Sequence, residues 1–372
     1  MTLEEIRNEI DEIDAQLLPL FLRRMECAGQ VAAIKQKENL PVFDAAREKE
    51  ILDAAAEKAG KYGGEARSLY SAMMAMSRAA QHRLLGAGRE LRESVRNASA
   101  EPPRANTVAC LGRNGSFSHE ALVRLYPQAS PLFFPDFPSI FEAVACGAAD
   151  LGILPVENSS AGSVGEVYDL ILKYRFSILG ALSLPVRHCL ASSETGAEKI
   201  RTVYSHPQAL RQCSDFLKKH GWKTEPCSST AGAAVLAEKP GTGAVCSVRA
   251  ARECGLHILA EEIQNTTANR TRFLVIGREL LLPDDADKIS VCFSLPHRTG
   301  TLSGVLTRFA AAGLNLTKIE SRPIPGKNFE YDFYLDFSGN VHDEHTLDLL
   351  CALHDELPRF TFLGNYKDHE AD

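Results

Sequence analysis

Between Leu3 and Ile34, apolar residues recur at positions 3, 6, 10, 13, 17, 20, 27, 31 and 34. Alternating steps of three and four mark the seam of a helix that has to lie against other helices. The chain therefore opens on one long helix, and Pro19, off the seam but inside the pattern, predicts a local kink. A second, short helix is predicted to follow Asp44 and end near Gly60, and a third to run from about 65 to 86. No period-two alternation occurs in this stretch, so residues 1–90 read as an all-α domain. Residues 87–104 are polar and end near two prolines; 91–104 reads as a linker.

From Thr107 short apolar runs alternate with helical stretches: TVACLG, DLGILPV, FSILGALSL, TVYSH, TGAVCS and RFLVIG. Strands alternating with helices predict an α/β domain with a mostly parallel sheet over 105–280. That length exceeds one mononucleotide-type unit and suggests two lobes with a cleft between them. After ELLLPDDAD, residues 287–368 read β-α-β-β-α-β, the order of the ferredoxin-like split βαβ fold.

Composition narrows the class. A formal charge of −7 over 372 residues gives no basic footprint for nucleic acid. No run of about 18 apolar residues is present to span a bilayer. The acidic, amphipathic start MTLEEIRNEIDEID is neither a signal nor a transit peptide. Ten cysteines lack any C-x-x-C pair, and Cys110, Cys146, Cys292 and Cys351 sit in apolar runs. They read as reduced, buried thiols of a cytoplasmic protein, with no zinc or disulfide framework.

The seam contains cations. Arg24 takes the core position after Leu20, and Lys35, three turns on, projects from nearly the same face. Either the arginine snorkels to solvent, or the two cations share an anion. Ser77 and Gln81 interrupt the apolar stripe of the third helix (Tyr70, Met73, Leu84) in the same manner. Such a polar core is costly as packing and makes sense as a pocket for a small anion. Arg7 lies about 100° around the helix from Arg24, so it can contribute only from a second subunit. That argues for a dimer of interlocked helices.

In the α/β segment the polar clusters fall at strand ends: GRNGSFSH, PVENSSAGSV, YSHPQALRQC, SSTAGAA and NRTRF. Strand C-termini and helix N-termini are where an open α/β sheet docks anionic ligands. Taken singly, Gly112 and Gly115 are turn glycines and His206 a hydrogen-bonded loop histidine. Alternation along the last strand sets Arg270 and Arg272 opposite Thr271.

With these residues in place, residues 1–90 resemble the AroQ-type, all-helical chorismate mutases. The resemblance carries over Arg7, Arg24, Lys35, Asp44, Arg47, Glu48, Ser77 and Gln81 as the substrate pocket. It implies rearrangement of chorismate to prephenate, which needs no cofactor or metal, only restraint of a compact conformer and electrostatic support. Arg7 (from the partner), Arg24, Arg47 and Ser77 would hold carboxylates. Lys35 and Gln81 would face the ether oxygen, and Asp44 and Glu48 the ring hydroxyl.

Residues 105–278 are similar to the prephenate dehydratases, through Glu157-Asn158-Ser159, Ser205-His206-Pro207-Gln208 and Thr271-Arg272-Phe273. That implies a two-lobed, periplasmic-binding-protein-like fold and loss of water and carbon dioxide from prephenate. Thr271 is the implied proton donor to the leaving hydroxyl. Asn158, Ser205 and Gln212 would position the substrate, with Glu157, Ser159 and Arg272 beside them. Arg113 and Cys246 depart from the family pattern outside these signatures. The C-terminal unit resembles an ACT domain, with Gly300 and Leu302 of GTLS and Glu320, Ser321, Arg322 and Pro323 of ESRP around an effector, phenylalanine. Two other readings keep the architecture: a dehydratase with a silent helical dimeriser, and a non-enzymatic two-lobed sensor.

Overall fold

The computed structural model describes residues 1–324, 326–327 and 330–371. The chain opens with helices α1 (Leu3–Glu38), α2 (Ala45–Ala59), α3 (Gly63–Leu85) and α4 (Arg89–Asn97). A capping box starts α1: the Glu5 amide donates to Thr2 Oγ1 at 3.2 Å, and the Thr2 amide donates to the Glu5 carboxylate at 2.6 Å. The helix closes on Asn39 in the left-handed region (φ 53°). It runs through Pro19 as one continuous element, so the proline does not divide it. Asp44 caps α2 by accepting the Arg47 amide, and α2 stops at Gly60 as its sequence predicts.

Two expectations change here. The polar stretch after residue 87 holds the nine-residue helix α4, with Leu91 and Val95 buried one turn apart. Two apolar residues at i,i+4 in a charged segment suffice to fasten it. The seam of α1, by contrast, is mostly bare. Only Ala28 and Ala32 are buried, while Ile10, Ile13, Leu17 and Leu20 are 50–63% exposed.

The first lobe of the α/β segment contains β1 (Thr107–Leu111), α5 (Phe117–Leu125), β2 (Ser130–Phe134) and α6 (Phe137–Ala145). It continues with β3 (Leu151–Asn158), β4 (Gly162–Ser163), α7 (Gly165–Tyr174) and β5 (Ser177–Pro185). The second lobe has β6 (Cys189–Ser192), β7 (Thr202–Ser205), α8 (Pro207–Gln212), α9 (Ser214–His220) and β8 (Lys223–Pro226). It ends with α10 (Thr230–Leu236), β9 (Thr242–Cys246), α11 (Val248–Glu253) and β10 (His257–Ala260). Strand β11 (Arg270–Gly277) returns to the first lobe and inserts antiparallel between β3 and β5.

That return makes the sheets mixed rather than mostly parallel. The pairs β1–β2, β1–β3, β7–β8 and β7–β9 are parallel, but β6 meets both β9 and β10 antiparallel. Val108, Cys110, Ile153, Leu182, Phe273 and Val275 fill the first lobe's core; an alanine-rich cluster fills one face of the second.

The C-terminal segment is β12 (Lys288–Ser294), α12 (Thr301–Ala311), β13 (Leu316–Pro323), β14 (Tyr331–Ser338), α13 (Glu344–Glu356) and β15 (Arg359–Tyr366). Its sheet order, β13-β14-β12-β15, is that of the ferredoxin-like fold. The chain then adds β16 (Asp368–Glu370), which pairs parallel with β5 in the first lobe's sheet. The molecule falls into two compact units: residues 1–98 with 288–362, and residues 99–287 with the chain from Leu363 on.

Among the described residues no helix is long and apolar enough to cross a membrane. All ten cysteines are free; Cys110, Cys292 and Cys351 are buried as expected, but Cys146, at the end of α6, is exposed. Burial pushes the Cys110 thiol up to about 12, which keeps it protonated and inert.

Candidate functional site

In the helical segment α1 and α3 meet through a polar contact. Arg24 Nη1 donates to Ser77 Oγ at 2.8 Å, and Ser77 in turn donates to the Met73 carbonyl at 2.8 Å. Gln81, one turn further, is 7% exposed, and its Oε1 has no hydrogen-bond partner among the described residues. A buried acceptor left open costs about 1–3 kcal/mol, so this oxygen is set for a donor that comes with a ligand or a partner. Lys35 Nζ donates to the Val42 carbonyl at 2.5 Å and so braces the turn between α1 and α2.

The remaining pocket candidates are dispersed. Asp44 spends one carboxylate oxygen on the α2 cap. Glu48 forms an ion pair with Arg78 of α3. Arg47 pairs with Glu50 at 3.0 Å on the open surface, and Arg7 is exposed near the start of α1. One chain therefore joins Arg24 to Ser77, with Gln81 one turn further along α3, places Lys35, Asp44 and Glu48 at the α1–α2 turn and on α2, and leaves Arg7 and Arg47 exposed.

In the α/β segment a hydrogen-bond network centres on Asn158. Its Nδ2 donates to Thr271 Oγ1 and Asn269 Oδ1, both at 2.9 Å. Its Oδ1 accepts from the Ser160 hydroxyl at 2.7 Å, from the Ala161 amide at 3.0 Å, and from Gln208 Nε2 at 3.3 Å. Gln212 of α8 extends the network: Nε2 donates to Ser160 Oγ at 2.8 Å, and Oε1 meets His188 Nε2 at 3.0 Å. Thr271 and Asn158 come from paired positions on β11 and β3, whereas Gln208 and Gln212 come from the second lobe. The network thus stitches the two lobes together around one threonine hydroxyl.

His188 sits beneath this network at 2% exposure. Burial lowers its pKa, against a smaller opposing effect of the Gln212 bond, so the ring is neutral. The edge of Phe117 packs on it, with centroids 5.9 Å apart. A neighbouring cavity of about 590 Å³ is lined by residues including Arg124, Arg187 and Arg249, but these already pair with Glu120, Glu262 and Glu253. None of Asn158, Thr271 or Gln212 lines it. The hydrogen-bonded cluster, not this cavity, holds the residues singled out from the sequence.

The two arginines flanking Thr271 have other partners. Arg270 donates to Ser183 and to the Ala371 carbonyl, and Arg272 binds Tyr366 Oη at 3.0 Å and Asp368 at 3.6 Å. Arg272 is thus held by Tyr366 at the end of β15 and by Asp368 of β16. Glu157 is the register partner of Arg272, one residue off the Asn158–Thr271 pair, and so shares the arginine's face of the sheet. Ser205 is fully buried and donates to the Val245 carbonyl at 2.6 Å, a bond that fastens β7 to β9. Ser159 ties its loop to β11, donating to the Ala268 carbonyl and accepting the Arg270 amide. His206 caps α8, as a loop histidine would. Gly112 and Gly115 have φ values of 96° and 80°, as turn glycines do.

In the C-terminal segment a cavity of about 470 Å³ is lined by Leu295, Pro296, His297, Arg298, Thr299, Thr301, Tyr331 and Phe333. Gly300, at φ 86°, caps the start of α12 and puts the GTLS motif at its rim. On β13, Ser321 and Pro323 are the register partners of Phe333 and Tyr331, which line this cavity; of the GTLS and ESRP residues Thr301 alone is among its lining.

Comparison with known proteins matches the three segments to three families, in order. Residues 6–82 match chorismate mutase type II, residues 108–280 prephenate dehydratase, and residues 290–355 the ACT domain. A bifunctional chorismate mutase/prephenate dehydratase from Aquifex aeolicus is 34% identical over 98% of this chain and 97% of its own length. The chain belongs to the bifunctional chorismate mutase/prephenate dehydratases.

Arogenate dehydratase 2 of Petunia hybrida is 39% identical over 70% of this chain and 71% of its own length. The crystal structure of an Arthrobacter aurescens prephenate dehydratase in complex with L-Phe superimposes with a TM-score of 0.65. That match has 32% identity and covers 70% of this chain and 90% of that one. Sequence reasoning missed Arg78, His188 and Ser160 in these domains. Arg78 carried a signal, since it follows Ser77 and stands one turn before His82; the other two gain meaning only from their neighbours in space.

Proposed function

We propose that the helical pocket rearranges chorismate to prephenate and that the cleft removes water and carbon dioxide from prephenate to give phenylpyruvate. The observation that carries the second half is the bond from Asn158 Nδ2 to Thr271 Oγ1, 2.9 Å long. Because the threonine oxygen accepts there, its own hydrogen is directed elsewhere, and the donated bond stabilises negative charge on Oγ1 as the proton leaves. That proton goes to the C4 hydroxyl, which departs as water. The ring carboxylate departs as carbon dioxide, its bonding pair completes the aromatic ring, and solvent returns a proton to Thr271. Gln208 and Gln212 close the second lobe over the substrate, and no cofactor takes part.

For the mutase half, Arg24 and Ser77 hold a carboxylate, Gln81 supports the ether oxygen, and Glu48 takes the ring hydroxyl. Lys35, Arg47 and Asp44 complete the pocket when a second copy of the chain brings Arg7 and covers the bare α1 seam. The working form is then a homodimer or a larger assembly. Its ten free thiols fit a reducing compartment, and the cytoplasm is the proposed location. Phenylalanine, bound at the GTLS–ESRP hollow, is the proposed feedback inhibitor, as the L-Phe complex of the Arthrobacter relative supports.

Ultraviolet absorbance tests the reading. Purified protein consumes chorismate and, given prephenate, forms phenylpyruvate at a rate that phenylalanine lowers. A protein that merely binds these acids converts neither. Parallel assays on arogenate decide whether the cleft shares the preference named for the Petunia relative.

A further inference from the structure

Helix α3 carries two polar stripes one residue apart. Ser77 and Gln81 belong to the Arg24 pocket, while Arg78 and His82, also spaced i,i+4, meet α13. Arg78 bridges two carboxylates: Nη1 pairs with Glu48 of α2, and Nε donates to Glu356 of α13 at 3.2 Å. Glu356 is shared in turn with Arg308 of α12 at 2.8 Å and with His82 at 2.9 Å. The Arg308, His82 and Glu356 side chains are only 5%, 7% and 9% exposed. Burial pushes the Glu356 carboxyl up, but the His82 bond and the Arg308 and Arg78 charges outweigh it and hold the pKa below its ordinary value.

The result is a row of charges alternating in sign, Glu48, Arg78, Glu356, Arg308. In a partly desolvated row each charge strongly feels its neighbours, so a guanidinium drawn toward Glu356 is less available to Glu48. Phe43 covers the Arg78 guanidinium at 5.3 Å. A cavity of about 710 Å³ borders Phe43, His82 and Glu356, so packing does not lock the row on that side. Arg308 stands two turns along α12 from Thr301, which lines the proposed effector hollow. One end of the row is a mutase pocket residue, and the other is on the helix that the effector motif begins.

We propose that Arg78 is a positioning residue of the mutase reaction, holding the Glu48 carboxylate, and that its second bond to Glu356 makes that hold depend on the ACT domain's state. This rests on the functional reading above.

The test uses the full-length chain and chorismate consumption. Arg78→Met is expected to lower mutase kcat about tenfold, Arg78→Lys to recover a good part of it, and Glu48→Gln/Arg78→Met to be no slower than Glu48→Gln alone. Independent, multiplying losses in the double variant would overturn the positioning role. Phenylalanine is expected to change the wild-type mutase KM or kcat at least about twofold and to leave the Glu356→Gln mutase unchanged, while still inhibiting the dehydratase of both. A wild-type mutase indifferent to phenylalanine, or a Glu356→Gln mutase that still responds, overturns the coupling. Arg308→Lys serves as the second variant if circular dichroism shows Glu356→Gln unfolded. Failure of the functional reading looks different: the wild type then leaves chorismate untouched.

Discussion

The cleft and the helical pocket are built by different means. In the α/β segment, groups of one chain fix Thr271 through hydrogen bonds of 2.7–3.3 Å radiating from Asn158. In the helical segment Arg24 meets Ser77, with Gln81 one turn further along α3, yet among the described residues Gln81 Oε1 lacks a partner, and the seam of α1 lies open. A site at strand ends inherits its geometry from the sheet register and is complete once the domain folds. A site on a helix seam inherits its geometry from whatever helix lies against it.

The largest expected effect sharpens the cleft side. Thr271→Ala should lower dehydratase kcat by roughly 10²–10⁴, the usual worth of a general acid, with the mutase rate unchanged. Equal loss of both activities would mean that the substitution acts through folding. On the other side, Arg24→Ala should lower mutase kcat/KM by roughly 10²–10³ and leave phenylpyruvate formation from added prephenate intact. Survival of chorismate turnover in that variant would favour Arg24 as a mere snorkelling surface cation.

A smaller effect separates the two by assembly. Burial of a side chain such as Ile13 on association is worth about 1.5–3 kcal/mol, so Ile13→Asp should shift sedimentation toward the monomer. The mutase should fall with it and the dehydratase persist. If both activities and the sedimentation coefficient stay as they were, the seam is not the contact.

The smallest effect is on stability. His188 is neutral and buried, with a folded pKa below its unfolded value near 6.5. The unfolded chain therefore binds the extra proton, so the stability His188 contributes is present above about pH 6.5 and lost as pH falls through the folded pKa. His188→Gln should show a smaller drop in Tm between pH 7 and pH 5 than the wild type. Identical drops would remove His188 from the explanation.

Much of this was legible in the sequence for physical reasons. The long helix, the Asp44 cap and the β-α-β-β-α-β unit depend on local pattern, which sequence carries directly. The strands' mixed directions were not legible, because β11 owes its place to a return from the second lobe that no local pattern encodes. Of the candidate site, Thr271, Asn158 and Gln212 fell together as read. Arg272 and Ser205 did not: one is bound by residues 366 and 368, nearly a hundred positions later, and the other by a carbonyl on β9. Both bonds are long-range, and alternation along β11 foretold only that Arg272 and Thr271 face apart.

The central claim, that the cleft works within one chain while the helical pocket is shared between two, is tested most directly by mixing two dead mutases. Arg7→Ala and Arg24→Ala chains are each expected to be inactive on chorismate. Refolded together at equal amounts, they should regain about a quarter of the wild-type mutase activity, because half the dimers are mixed and each of those carries one intact pocket. Mixtures as silent as their components would contradict the shared pocket.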